Sequence, residues 1–298
     1  DVRAALDAAH RRHPDVPIAA CFYGPDLASE RDEEPGRVPV YDAVDAAARA
    51  LGRLADFAAW RAEPEGETRP LDPGQVEAAT AVVRSAIEHG RSPLPRPELG
   101  ELLGAVGLQR VATKDVTSED EAVEAAATMG YPVVLKAVRR SPMAKTVAHG
   151  LALDLVDEAG VRSAWQRMCA SLGDDALPAV VQTMVGGGSD VAIAVDDHPE
   201  VGPVLSLGPG GASAALDPAV DLRVLPVTDL DAERLVARSR LAPVLDDASR
   251  DHLEEVILRI SALIEDVPEI TSFRANPVIV GPSGAVLTDV WVEVAPLD

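Results

Sequence analysis

The stretch Tyr131-Pro132-Val133-Val134-Leu135-Lys136-Ala137-Val138 decides how this chain is read. It is an apolar strand pattern carrying a single charge. A charged group in a strand buried on both faces is costly unless it is paired or turned toward a ligand. Lys136 is therefore either a phosphate contact, one half of a buried ion pair, or a surface charge on an edge strand. Lysine usage sharpens the choice. The chain has 27 Lys plus Arg, yet its lysines are only Lys114, Lys136 and Lys145. A lysine kept in so arginine-biased a sequence marks a place for a compact ammonium rather than a planar guanidinium. Three residues are a small set, and Lys114 reads as an ordinary surface charge.

The pattern around that strand alternates helix and strand. Upstream, helices are predicted over 74–89 and 97–106, with a short strand near 109–113. Ser118 caps a helix over 119–129, with Glu121 as the third residue of a capping box and Gly130 as its stop. Downstream come a helix over 157–171 and a strand over 178–185 that runs into Gly186, Gly187 and Gly188. Strands at 190–195 and 202–207 lead to a second glycine run, 208–211. Helices at 229–240 and 249–265 precede a hairpin, 276–280 and 285–293, joined at Pro282-Ser283-Gly284. This alternation makes the fold class α/β, or α+β, rather than all-helical. At the other end, strands over 16–24 and 38–40 and a helix over 42–60 look like the closing units of a doubly wound sheet. About 60 residues are too few for a whole one, so Asp1 is expected to fall inside a domain. The polar, proline-bearing stretch 62–73 reads as a linker.

With 298 residues and 47% hydrophobic content, the chain has enough apolar side chains for two or three cores. Its formal net charge of −22, with no basic block, argues against a nucleic-acid or anionic-membrane surface. Phosphates can then be held only by a local device that overrides the global field. Neither a signal peptide nor a membrane span is expected. Cys21 and Cys169 are far apart without metal-type spacing, which fits a reducing, cytoplasmic setting.

Several motifs offer such a local device. Backbone amides approach phosphate oxygens closely where glycine leaves room, as Gly186–Gly188 and Gly208, Gly210 and Gly211 allow; alone, each run is more often a turn. Asn276, at the start of one hairpin strand, and Asp289, in the next, offer two oxygens suited to Mg²⁺. Asp289 is otherwise an ordinary solvent-facing residue.

In order, the blocks GYPVVLKAV, SPMAKTVAHGLALDL, VVQTMVGGGSDVAIAV, HPEVGPVLSLGPGG, DLRVLPVTD and FRANPVIV resemble one family. It is the ATP-grasp portion of NDP-forming acyl-CoA synthetases, related to the nucleotide-binding subunit of succinyl-CoA ligases. The resemblance implies a two-lobed ATP-grasp domain over 93–298, with lobes at about 93–175 and 176–298. It implies a linker and helix over 63–92, and the C-terminal part of a flavodoxin-like domain over 1–62. It implies ATP or ADP with Mg²⁺ as cofactors. Lys136 would contact phosphates, Gln182, Met184 and Val185 would line the adenine pocket, and Gly208, Gly210, Gly211 and Arg223 would lie along the phosphates. Asn276 and Asp289 would hold the metal.

One block departs from the family. Where the pattern has HK(S/T)DVGGV, with a histidine that relays phosphate, this chain has Ala144-Lys145-Thr146-Val147-Ala148-His149-Gly150-Leu151. Alanine has no lone pair to accept a phosphoryl group. His149 is displaced by five residues. The family's ELDINP becomes Ser272-Phe273-Arg274-Ala275-Asn276-Pro277, losing both acids. The resemblance extends to proteins fused to GNAT-type acetyltransferase domains, whose ligase-like region has lost the relay. The expected function is thus a regulatory nucleotide-binding module with CoA-binding and acetyltransferase domains in the same parent chain. The alternatives are an active ADP-forming acyl-CoA ligase and a scaffold that binds no nucleotide. A homo-oligomer is compatible with each of them.

Overall fold

The computed structural model describes residues 2–22, 36–138, 150–211, 213–215 and 219–297. Ala144, Lys145 and His149 lie outside the described residues. The chain divides into two compact units, Asp1–Glu65 and Gly66–Asp298.

In the first unit, helix α1 (Val2–Arg12) precedes strand β1 (Ala20–Cys21), which pairs in parallel with β2 (Val40–Tyr41). The predicted strand over 16–24 is shorter than expected, and residues 23–35 lie outside the described residues. Asp7 organises the unit from α1. Its carboxylate accepts from Val38 N at 3.0 Å and Arg37 Nε at 3.1 Å, and these bonds hold its pKa below the usual carboxylate value. Helix α2 (Val44–Ala62) buries only Ala47 and leaves Leu54, Phe57 and Trp60 exposed.

The second unit is built on two antiparallel sheets. Four strands, β3 (Thr113–Val116), β4 (Val133–Ala137), β5 (Leu151–Leu155) and β6 (Ala179–Thr183), lie in the order β3-β6-β4-β5. Helices α5 (Glu119–Met129) and α6 (Glu158–Leu172) cover one face, packing Ala122, Ala126, Trp165 and Met168 on Val133, Leu135 and Val181. The larger sheet holds β7 (Ser189–His198), β8 (Gly202–Pro209), β9 (Asp221–Val224), β10 (Ile270–Gly281), β11 (Gly284–Leu287) and β12 (Val290–Val294). Its order is β11-β10-β7-β8-β9, with β12 also on β10. Helices α3 (Pro73–Glu88), α4 (Arg96–Ala105), α7 (Asp229–Arg238) and α8 (Asp247–Asp266) contribute to its core with Leu102, Leu235, Ile257 and Leu263 around Phe273.

Several sequence expectations need correction. The division between sheets does not fall at 175–176. Strand β6 is hydrogen-bonded to both β3 and β4, so the chain leaves the smaller sheet only after Thr183. Nor do 63–92 and 93–108 stand apart from the larger sheet, because the apolar residues of α3 and α4 are buried in its core. The strand expected near 109–113 lies at Thr113–Val116, where a ladder to β6 is available. At α5, Ser118 Oγ accepts from Glu121 N at 3.2 Å, but the Glu121 carboxylate turns to Thr117 N (2.7 Å) instead of closing the box.

The predicted second hairpin strand over 285–293 is two strands with Thr288 and Asp289 between them. Val278 pairs with Leu287 and Ala275 with Val290, so the break faces Asn276 and Pro277. Proline has no N–H to donate to a ladder, and the interruption falls where that donor is missing. Among the described residues no helix is long and apolar enough to cross a membrane.

Candidate nucleotide site

Strand alternation aims Lys136. Val133, Leu135 and Ala137 face α5 and α6, which sends Val134 and Lys136 to the opposite face. On β6, Gln182 pairs with Val134 and Val180 with Lys136, so they share that face. The Thr288–Asp289 break meets this face. Lys136 Nζ donates to Asp289 Oδ1, and Gln182 Nε2 donates to Thr288 O at 3.1 Å and Thr113 Oγ1 at 2.9 Å. Lys136 is only 5% exposed, and β4 lies between β5 and β6. The edge-strand reading is excluded. An ion pair is present, and its partner is the other residue expected at the phosphate–metal position.

The same break brings Asn276 to Asp289, with Asn276 N donating to Asp289 O at 2.9 Å. Asn276 Oδ1 in turn accepts from Gly211 N at 2.8 Å. Lys136, Asp289, Asn276 and Gly211 thus form one connected set drawn from both sheets. The glycine turn needs its glycines. A Cβ on Gly210 would lie 2.6 Å from Val191 C, and Gly211 has φ +57°. A Cβ there would lie 2.2 Å from Asp190 Oδ2. Burial raises the pKa of Asp190 above the usual carboxylate value.

Not every expected residue joins the set. Gln182 is placed as a tie between β6, β3 and the Thr288 loop, with its amide nitrogen already committed. Met184 N donates to Pro132 O at 3.1 Å, and the following Gly188 lies against β10, where a Cβ would meet Val280 O at 2.8 Å. Arg223 lies on β9, 3.9 Å from Asp231 of α7, and lines an open groove with Asp196, Ser206 and Leu222. Asp190 and Thr288 escaped the sequence reading; alternation from Ser189 and the gap ahead of Val290 are the signals that point to them.

Among the described residues no group of three or more His, Cys, Asp or Glu side chains is placed to hold a metal. Mg²⁺ does not need one, because it keeps several waters and binds through one or two carboxylates plus phosphates. The oxygens of Asn276 and Asp289 fit that demand. The Lys136 ammonium already rests on the Asp289 oxygen that a cation would take.

Residues 85–294 match the family model described as ATP-grasp domain, and the chain belongs to that family. Within it, the domain is homologous to those of ADP-forming acyl-CoA ligases. The chain is 28% identical over 260 residues to 4-hydroxybutyrate–CoA ligase [ADP-forming] of Nitrosopumilus maritimus, covering 84% of this chain and 37% of that one. It is 26% identical over 226 residues to the beta subunit of acetate–CoA ligase [ADP-forming] I of Pyrococcus furiosus, covering 72% of this chain and 97% of that subunit. The chain therefore spans well under half of the first relative and nearly all of the second. The fold is also that of the dinucleotide forming acetyl-coenzyme A synthetase 1 of Ca. Korarchaeum cryptofilum in complex with coenzyme A and Ca-AMPCP. The TM-score is 0.63 at 24% identity, over 73% of this chain and 100% of that one.

Proposed function

We propose that this chain binds Mg·ATP or Mg·ADP between its two sheets and lacks the phosphohistidine relay of a ligase. One observation carries the first half: Lys136, Asp289, Asn276 and Gly211, from distant parts of the sequence, form one connected set. Lys136 would turn from Asp289 to a phosphate oxygen, and Asn276 and Asp289 would hold Mg²⁺. The metal supplies charge that lets a −22 chain accept a polyphosphate. Gly208, Gly210 and Gly211 draw their turn close onto β7, with the Gly211 amide held by Asn276 Oδ1, so this turn would border the phosphates. Arg223, on this reading, serves the phosphate side only indirectly. Gln182 would shape the adenine end by fixing β6, with Met184 and Val185 as its apolar lining.

The second half rests on Ala144, where the family pattern has its histidine. An alanine there cannot be phosphorylated. The module is accordingly read as regulatory, within a longer acetyltransferase-type chain that also carries a CoA-binding domain. The exposed Leu54, Phe57 and Trp60 of α2 support reading residues 1–62 as part of a larger flavodoxin-like domain. The competing reading is an active ADP-forming acyl-CoA ligase, favoured by the names of the relatives and requiring His149 to replace the missing histidine.

Incubation with γ-labelled ATP and Mg²⁺ separates the two. No acid-labile protein-bound label is expected. Label that disappears in His149→Ala would establish the ligase reading instead.

A further inference from the structure

Strand β10 lays out the site in order along its length. Its C-terminal end lies against Gly186–Gly188, the hinge that links β6 of the smaller sheet to β7 of the larger, where Gly187 O is 2.8 Å from a Cβ built on Gly281 and Val280 O is 2.8 Å from one built on Gly188. The metal residue Asn276 lies midway. Two residues further on, in the same direction away from the hinge, comes Arg274. Arg274 and Asn276 are both exposed and flank the buried Ala275, so they share the open face of the sheet. At a strand rise of about 3.3 Å per residue, Arg274 stands roughly 7 Å past Asn276.

We infer that Arg274 reads the terminal phosphate of the bound nucleotide and makes this site selective for Mg·ATP over Mg·ADP. The inference rests on the nucleotide reading above. With the base at the hinge and the metal at Asn276, the phosphate chain ends where Arg274 stands. A guanidinium there offers a planar pair of donors to a phosphate, which an ammonium does not. By strand pairing, Asp190, Asp196 and Glu293 stand on the same face of the sheet.

Arg274 is held ready by a weak contact. Its Nη2 lies 2.8 Å from Asp196 Oδ1 on β7, with the two side chains 61% and 52% exposed. So exposed a pair contributes little and is easily given up. Ser272 Oγ donates to the same Asp196 oxygen at 2.9 Å and keeps that carboxylate satisfied once Arg274 turns to the phosphate. The family pattern quoted above has an acid at this position, so the sequence has reversed its charge beside the metal site.

Calorimetric titration of the chain with Mg·ATP and with Mg·ADP tests this, using wild type, Arg274→Ala and Arg274→Lys. Wild type is expected to prefer Mg·ATP by about tenfold. Arg274→Ala should lose that preference, weakening Mg·ATP about tenfold while leaving Mg·ADP within about twofold, and Arg274→Lys should restore part of it. Thermal midpoints check that the variants remain folded. Equal loss for both nucleotides, or no loss for either, overturns the inference while leaving nucleotide binding intact. Binding of neither nucleotide to wild type overturns the nucleotide reading itself.

Discussion

Gly210 and Gly211 set how closely the phosphate-side turn is drawn onto β7. Gly210 N donates to Asp190 O at 2.9 Å, and a Cβ at Gly210 would press on Val191 carbon and oxygen, which are backbone and cannot rotate away. Gly210→Ala should therefore cost about 1–3 kcal/mol, the range for overpacking a tight site. A urea denaturation midpoint unchanged within error would show that the turn yields freely. Single residues were unevenly legible at this scale. Lys136 announced itself as a lone charge in an apolar strand within an arginine-biased sequence. Its partner Asp289 is 153 positions away, and no local pattern distinguishes it from a solvated aspartate. Gln182 is reached only through the resemblance, and the bonds that occupy its amide depend on Thr113 and Thr288, which propensity does not reveal.

Elements with their own end signals were the most legible. Asp72, Ser118, Asp157, Thr228 and Asp246 each cap a helix through a side-chain oxygen, and the corresponding helices were predicted within a few residues. Strand β5 was missed. It is an edge strand whose register shifts opposite Val133–Leu135, with Asp154 at φ +54°, so its side chains do not keep a period of two. The hairpin break at Thr288–Asp289 was missed because Pro277 acts across the ladder rather than within its own segment.

The start of α5 gives a pH test at this scale. Hydrogen bonds from Thr117 lower the Glu121 pKa from its ordinary 4.5. A carboxylate depressed in the folded state contributes stability above its unfolded pKa and loses it as pH falls through the folded value. Glu121→Gln should thus be less stable than wild type at pH 6–7, with the gap closing as pH is lowered below about 4.5. A gap that stays constant across that range would show that the Thr117 contact is not charge-dependent.

For the whole molecule, the α/β class is legible in the alternation of strands and helices, and two lobes in the resemblance carried by the order of blocks. Their division is not. Within the second unit the chain first passes through α3 and α4 of the larger sheet's core, forms the smaller sheet at 113–183, and returns to complete the larger one. A linear reading places a boundary between consecutive elements and cannot see that β6 returns to pair beside β4. That return is what lets Lys136 on the smaller sheet meet Asp289 at an interruption of the larger one.

On the reading proposed above, this meeting point is a nucleotide grip. Its most direct measurement is calorimetric titration of the chain with Mg·ATP, beside Lys136→Ala. Saturable binding to wild type is predicted, with Lys136→Ala at least about tenfold weaker while remaining folded. Heats no larger than dilution for a folded wild-type chain, up to millimolar Mg·ATP, would contradict it.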